Sequence, residues 1–153
     1  MNMKKLIFCL LVVLIGACKE KDDDKKPEEN FAANFVGSYW TNTVAGSIGT
    51  EHTWDVTAVN SKQLKIVYNV AINGVVSGSV IKNNYSYTLN NVPVTDKETF
   101  TLSQTVDQTS NGKTVKVKLD GEGKLAVNAA GTTIVKINLK VTQENDGTST
   151  TEY

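Results

Sequence analysis

Gln63-Leu64-Lys65-Ile66-Val67-Tyr68-Asn69-Val70-Ala71-Ile72 decides the fold. Leu64, Ile66, Tyr68, Val70 and Ile72 recur at every second position, the period of a strand with one dry and one wet face. Asn73-Gly74 follows at once. Both central positions of a tight hairpin turn need positive φ, and Asn-Gly is the dipeptide that tolerates this best.

The same alternation extends in both directions. On the N-terminal side, strands are predicted over Phe35 to Val44 and over Thr50 to Val59, the latter with Trp54, Val56 and Ala58 on one face. On the C-terminal side, Val75 to Ile81 and Tyr85 to Leu89 flank Asn83-Asn84 and read as two strands or one kinked strand. Glu98 to Val106 carries Phe100, Leu102 and Val106 in phase. Asn111-Gly112 marks a turn before Lys113 to Leu119, where Val115, Val117 and Leu119 alternate with Lys116 and Lys118. Asp120-Gly121-Glu122-Gly123 reads as another turn, followed by Leu125 to Ala129 and Thr133 to Thr142. Val135, Ile137, Leu139 and Val141 share one face of that last strand.

No window has a helical period. Short, regularly spaced strands joined by tight turns predict an all-β domain with sequential antiparallel pairing. A meander with one dry face removes its exposed edges by closing on itself. The expected architecture is an up-and-down barrel of roughly eight strands, with a β-sandwich as the alternative.

The first seventeen residues are read as a signal rather than as fold. Lys4 and Lys5 precede an apolar run from Leu6 to Ile15, too short to span a bilayer, which needs about 20 helical residues. Ile15-Gly16-Ala17-Cys18 resembles a bacterial lipobox. That resemblance implies cleavage before Cys18, diacylglycerol on its thiol and acylation of the new amino terminus. Cys9 lies in the removed segment, so the mature chain has no disulfide available.

Residues 18–34 then form a tether. Lys19 to Asn30 is nearly all charge and has too little apolar surface to form a core. The domain follows from Phe35 to Tyr153. After cleavage the chain holds fourteen lysines and sixteen acids, a net charge of −2. The part from Phe31 onward has ten of each. It therefore creates no long-range field to steer a charged partner. The chain has no arginine, whose planar fork dominates phosphate and base recognition, so nucleic acid is not an expected partner.

Gly37-Ser38-Tyr39-Trp40 opens the first strand with a glycine two residues before an aromatic, which resembles the lipocalin and calycin pattern. The acidic, lysine-containing run after Cys18 is similar to the surface-export signal of Bacteroidetes-type lipoproteins. Together these features resemble a Bacteroidetes-type lipoprotein with a calycin-like barrel over Phe35 to Thr142. The resemblance implies an outer-membrane lipoprotein, on the cell surface or the periplasmic face, with a ligand cup between strand ends.

No catalytic constellation is present. His52 is the chain's one histidine. On a strand, Glu51 and Asp55 share the face opposite His52, about 13 Å apart at 3.3 Å per residue, too far for one metal ion or a glycosidase pair. Asp120 to Gly123 lacks the ligand spacing of a calcium loop. No serine lies in a nucleophile elbow. The expectation is a protein without a cofactor or metal, and a binding module rather than an enzyme. Its partners are the membrane, through Cys18, and a small apolar ligand lined by Tyr39, Trp54, Tyr68 and Phe100 with His52 near a rim. The alternative is a solid domain whose outer face or loops meet an envelope protein or a glycan. On that reading, Tyr85 and Tyr87 stack on a sugar if their shared face is exposed.

Overall fold

The computed structural model describes residues 28–110, 113–143 and 147–148. Cys18, the predicted signal segment and the predicted tether as far as Pro27 lie outside the described residues, as does the predicted turn at Asn111-Gly112.

The chain is all-β. A 3-10 helix, Ala32–Phe35, precedes β1 (Gly37–Ala45), β2 (Ile48–Asn60), β3 (Gln63–Val76), β4 (Ser79–Pro93), β5 (Thr99–Ser110), β6 (Lys113–Val127), β7 (Thr133–Gln143) and the short β8 (Gly147–Thr148). They form two four-stranded sheets in the orders β1-β2-β3-β4 and β5-β6-β7-β8. Every neighbouring pair is antiparallel, so each sheet is the sequential meander expected from the hairpin spacing.

Two predicted turns lie inside strands instead. Asn73-Gly74 belongs to β3 and Asp120-Gly121-Glu122-Gly123 to β6, while Asn83-Asn84 lies within the single strand β4. The turn after β3 comes at Ser77-Gly78, where both residues have positive φ (50° and 81°). Glycine has another role at the misread positions. A Cβ on Gly74 would lie 2.6 Å from the Ser47 carbonyl oxygen, and one on Gly121 would meet the Asn138 carbonyl. These glycines let neighbouring backbone approach closely, a recognised use of glycine within a strand. Strands predicted as short pieces therefore merge into longer ones.

One core serves both sheets. It joins Trp54, Val56, Leu64, Ile66, Tyr68, Tyr87 and Leu89 of the first to Phe100, Leu102, Val117, Leu119 and Leu139 of the second. Apart from Tyr87 and Leu89, these are positions whose alternation in the sequence put them on one face. The 3-10 helix closes one end. Ala32 N donates to the Ser61 carbonyl at 3.0 Å, and Asn34 Nδ2 donates to the Lys97 carbonyl at 3.0 Å. The Phe35 ring meets Phe100 edge to face at 5.2 Å. Ala32 and Phe35 are fully buried, and Phe31 packs beside them. The folded part therefore begins before Phe35, because this short apolar segment caps the core rather than continuing the tether.

Burial falls away from that end. Along β3, Leu64, Ile66 and Tyr68 are buried, Val70 and Ile72 are half-buried, and Val76 is exposed. β4 shows the same gradient from Leu89 and Tyr87 to Tyr85 and Ile81.

The sheets also meet along β4 and β5. An antiparallel bridge joins Val94 to Phe100. β4 bulges opposite Lys65, with Asn91 at φ 52°. At the bulge the Gln104 side chain stands in for a strand partner. Asn90 N donates to Gln104 Oε1 at 3.2 Å, and Gln104 Nε2 donates back to the Asn90 carbonyl. On the opposite side, no ladder joins β1 to β7 among the described residues.

Candidate binding cleft between the first and seventh strands

β1 and β7 are both odd-numbered strands in an alternating antiparallel series, so they run in the same direction and cannot be hairpin partners. Between them lies a cleft of about 310 Å³, walled by Tyr39, Trp54, Val135 and Ile137, with Thr41, Trp40 and Lys136 completing its lining. Tyr39, Trp54, Val135 and Ile137 belong to the inward-facing set. Trp40 points the other way and is 74% exposed, which puts an indole at the lip. Both tryptophans of the chain thus line one cleft.

Strand register builds the inner wall. Tyr39, Trp54, Tyr68 and Tyr87 are directly opposite one another across β1, β2, β3 and β4, forming one aromatic row. Trp54 stacks on Tyr68 with centroids 3.7 Å apart and planes 14° from parallel, and Tyr68 contacts Tyr87 at 5.7 Å. Tyr39 Oη donates to the Phe35 carbonyl at 2.9 Å, fixing its ring against the capping turn. Burial raises the Tyr39 phenol above the ordinary tyrosine range, so it stays a neutral donor.

Of the five residues proposed from sequence, Tyr39 and Trp54 reach the cleft. Tyr68 sits behind Trp54 in the row and is 1% exposed. Phe100 is in the second sheet, packed on Phe35 at the closed end. His52 is not at a rim. It is completely buried, and its Nδ1 shares a 2.8 Å hydrogen bond with Tyr68 Oη. Burial lowers the His52 pKa from its ordinary value, favouring the neutral ring. Tyr85 and Tyr87 do share a face, but it is the inward one. Tyr87 is buried and Tyr85 half-buried, so the pair forms no exposed sugar platform.

A second hollow, of about 330 Å³, lies over the first sheet and is lined by Glu51, Thr53, Asn69, Asn84, Tyr85 and Ser86 among others. Ser86 Oγ donates to Asn69 Oδ1 at 2.7 Å, and Asn69 Nδ2 donates to Thr53 Oγ1 at 3.3 Å. Trp40 is the β1 member of this row, directly opposite Thr53. Among the described residues, no three His, Cys, Asp or Glu side chains converge as metal ligands would.

No family model, no curated protein and no solved structure matches this chain.

Proposed function

We propose that the protein is a non-enzymatic binding module, carried on a lipid at Cys18 in the outer membrane, that holds a small apolar ligand in the β1–β7 cleft. The observation that carries this reading is the cleft's composition. A concave site of about 310 Å³ with two tryptophans, a tyrosine and two β-branched aliphatics has the size and chemistry of a small-molecule pocket. The few polar groups, Thr41, Lys136 and the Tyr39 hydroxyl, are enough to orient a ligand without demanding a charged one.

The finer architecture follows the same reading. The Val94–Phe100 bridge and the Gln104 clamp make β4 and β5 neighbours, so we read the two sheets as one calycin-like sheet rolled around the core, with its seam at the cleft. The acidic run after Cys18 supports the cell surface or the periplasmic face as the location.

Titration of the full chain with an apolar fluorescent dye tests the reading. Energy transfer from Trp40 and Trp54 should appear and saturate. Val135→Lys, which puts a charge in the apolar wall, should weaken binding about tenfold or more. A dye that gains no sensitised emission, or that ignores Val135→Lys, overturns the assignment.

A second reading has its own observation. Trp40, Thr53, Asn69 and Ser86 form a cross-strand row beside the outer hollow, the arrangement of an exposed indole with hydrogen-bonding neighbours that suits a glycan. Glycan binding lost in Trp40→Ala and Asn69→Ala, with dye binding retained in Asn69→Ala, would favour it.

A further inference from the structure

The geometry points to a preference for an anion: the β1–β7 cleft takes a small free acid, with its apolar body against the inner wall and its one negative end at the outer lip beside Lys136. The inference rests on the cleft reading and adds the class of molecule that fills it.

Strand phase divides the cleft into two zones. Tyr39, Trp54, Val135 and Ile137 belong to the inward set and make the inner wall. Trp40 and Lys136 take the intervening positions on β1 and β7, so they project to the outer side. Both are exposed, and both line the cleft. An indole and an ammonium group therefore flank the mouth, outside an apolar wall. A ligand that matches both zones is apolar along its body and charged at one end only.

The sign of that charge follows from the lining. The described residues that line the cleft include one cation, Lys136, and no acid. Lys136 is not neutralised from the side either. Lys62, Lys97, Lys116, Lys118 and Lys124 each have an acid within 3.5 Å, whereas Lys136 makes no ion pair among the described residues. Its partner across the β6–β7 ladder is Lys124, a like charge. Glu122, diagonal to Lys136 in that ladder, is held by Lys124 at 2.7 Å. Like charges directly opposite one another repel, and an anion at the mouth offsets that repulsion. The outer hollow of the first sheet has the reverse bias, since its lining includes Glu51 and no cation.

Size selects within the class. At about 310 Å³ the cleft is at the lower end of the range for small-molecule sites. It suits a small carboxylic acid, and a two-chain anionic lipid is too large for it. A negative end at the lip stays in contact with water, so the attraction comes without the cost of burying an ion. The apolar wall holds the body in either case, and the charge adds a preference of about threefold to fivefold, the upper part of the range for an exposed ion pair.

Two dyes with the same aromatic rings separate the charge from the body: anilinonaphthalene sulfonate and its uncharged parent, phenylnaphthylamine. On the full chain, Lys136→Met should weaken the sulfonate dye about threefold to fivefold and leave the uncharged dye unchanged. Lys140→Met, which removes an exposed lysine from the same side of β7 but outside the cleft lining, should change neither. Added salt should weaken the sulfonate dye alone. Equal effects of Lys136→Met on both dyes, or equal effects of Lys136→Met and Lys140→Met on the sulfonate dye, overturn the inference and leave the cleft reading standing. Binding of neither dye overturns the cleft reading, and this inference with it. Octanoate should displace the sulfonate dye from the parent chain. Displacement by phosphatidylglycerol vesicles and not by octanoate, or by neither, overturns the assignment of a free acid.

Discussion

The ring of Phe100 lies directly over Gly123, its partner across the β5–β6 ladder, in the space a side chain at 123 would fill. Phe100 is fully buried and also meets Phe35 of the capping turn, so it cannot move aside without disturbing the closed end. Gly123→Ala should therefore destabilise the fold by about 1–3 kcal/mol through overpacking. Urea denaturation should show a lower midpoint with an unchanged slope. A midpoint equal to that of the parent would mean that the ring yields freely.

Gln104 supplies what the β4 bulge takes away. Its amide both accepts from and donates to the backbone of Asn90. Gln104→Ala should cost about 0.5–1.5 kcal/mol, because two backbone groups exchange a fixed partner for water. Amide exchange at Asn90 should rise more than the global loss explains. Unchanged protection there would show that the clamp is dispensable.

Acid stability should carry the signature of His52. Its pKa is lowered by burial in the native state, whereas the unfolded side chain titrates near 6.5. Below about pH 6.5 the unfolded chain therefore binds more protons than the native one, and stability falls as pH drops toward the depressed native value. Above that range the contribution is constant. Across the ladders His52 faces Thr41 and Val70. Asp120, whose pKa is lowered chiefly by its hydrogen bond from Lys118, contributes only at more acid pH. His52→Gln should flatten the stability curve between pH 6.5 and 5.5, on the order of the unperturbed histidine range. A curve that stays equally steep would assign the fall to other groups.

The proposed lipid anchor has a simple test. Cys18→Ser removes the thiol proposed to carry the lipid and should release the protein into the soluble fraction, since stable anchoring depends on the acyl chains. Membrane retention of the serine variant would require another attachment.

Strand phase was legible in the sequence because burial imposes it residue by residue. Leu64, Ile66 and Tyr68 on β3, and Val115, Val117 and Leu119 on β6, face inward as their alternation requires. Turn positions were less legible. Asn-Gly at 73–74 has the local chemistry of a hairpin, yet the β2–β3 and β3–β4 ladders run through it, and its glycine is needed for the approach of the Ser47 carbonyl. Long-range pairing outweighed a local preference, as it also did at Gly121 and Gly123.

The candidate site was half legible for a related reason. Tyr39 and Trp54 were identifiable as large inward aromatics. Val135 and Ile137 read only as core, because nothing in strand periodicity says that β7 faces β1 across an unpaired seam. His52 alternates in phase with Trp54, but its depth depends on how far the two sheets extend over it. A polar residue's distance from a rim is a property of the assembled sheets, not of its own strand.

The proposed ligand of the β1–β7 cleft is tested most directly by native mass spectrometry of the protein purified gently from the cells that make it. The expected spectrum contains, beside the bare chain, a species heavier by one small apolar molecule, and Val135→Lys should lose it. A single mass equal to the bare chain alone, in parent and variant alike, would contradict a ligand-binding role for the cleft.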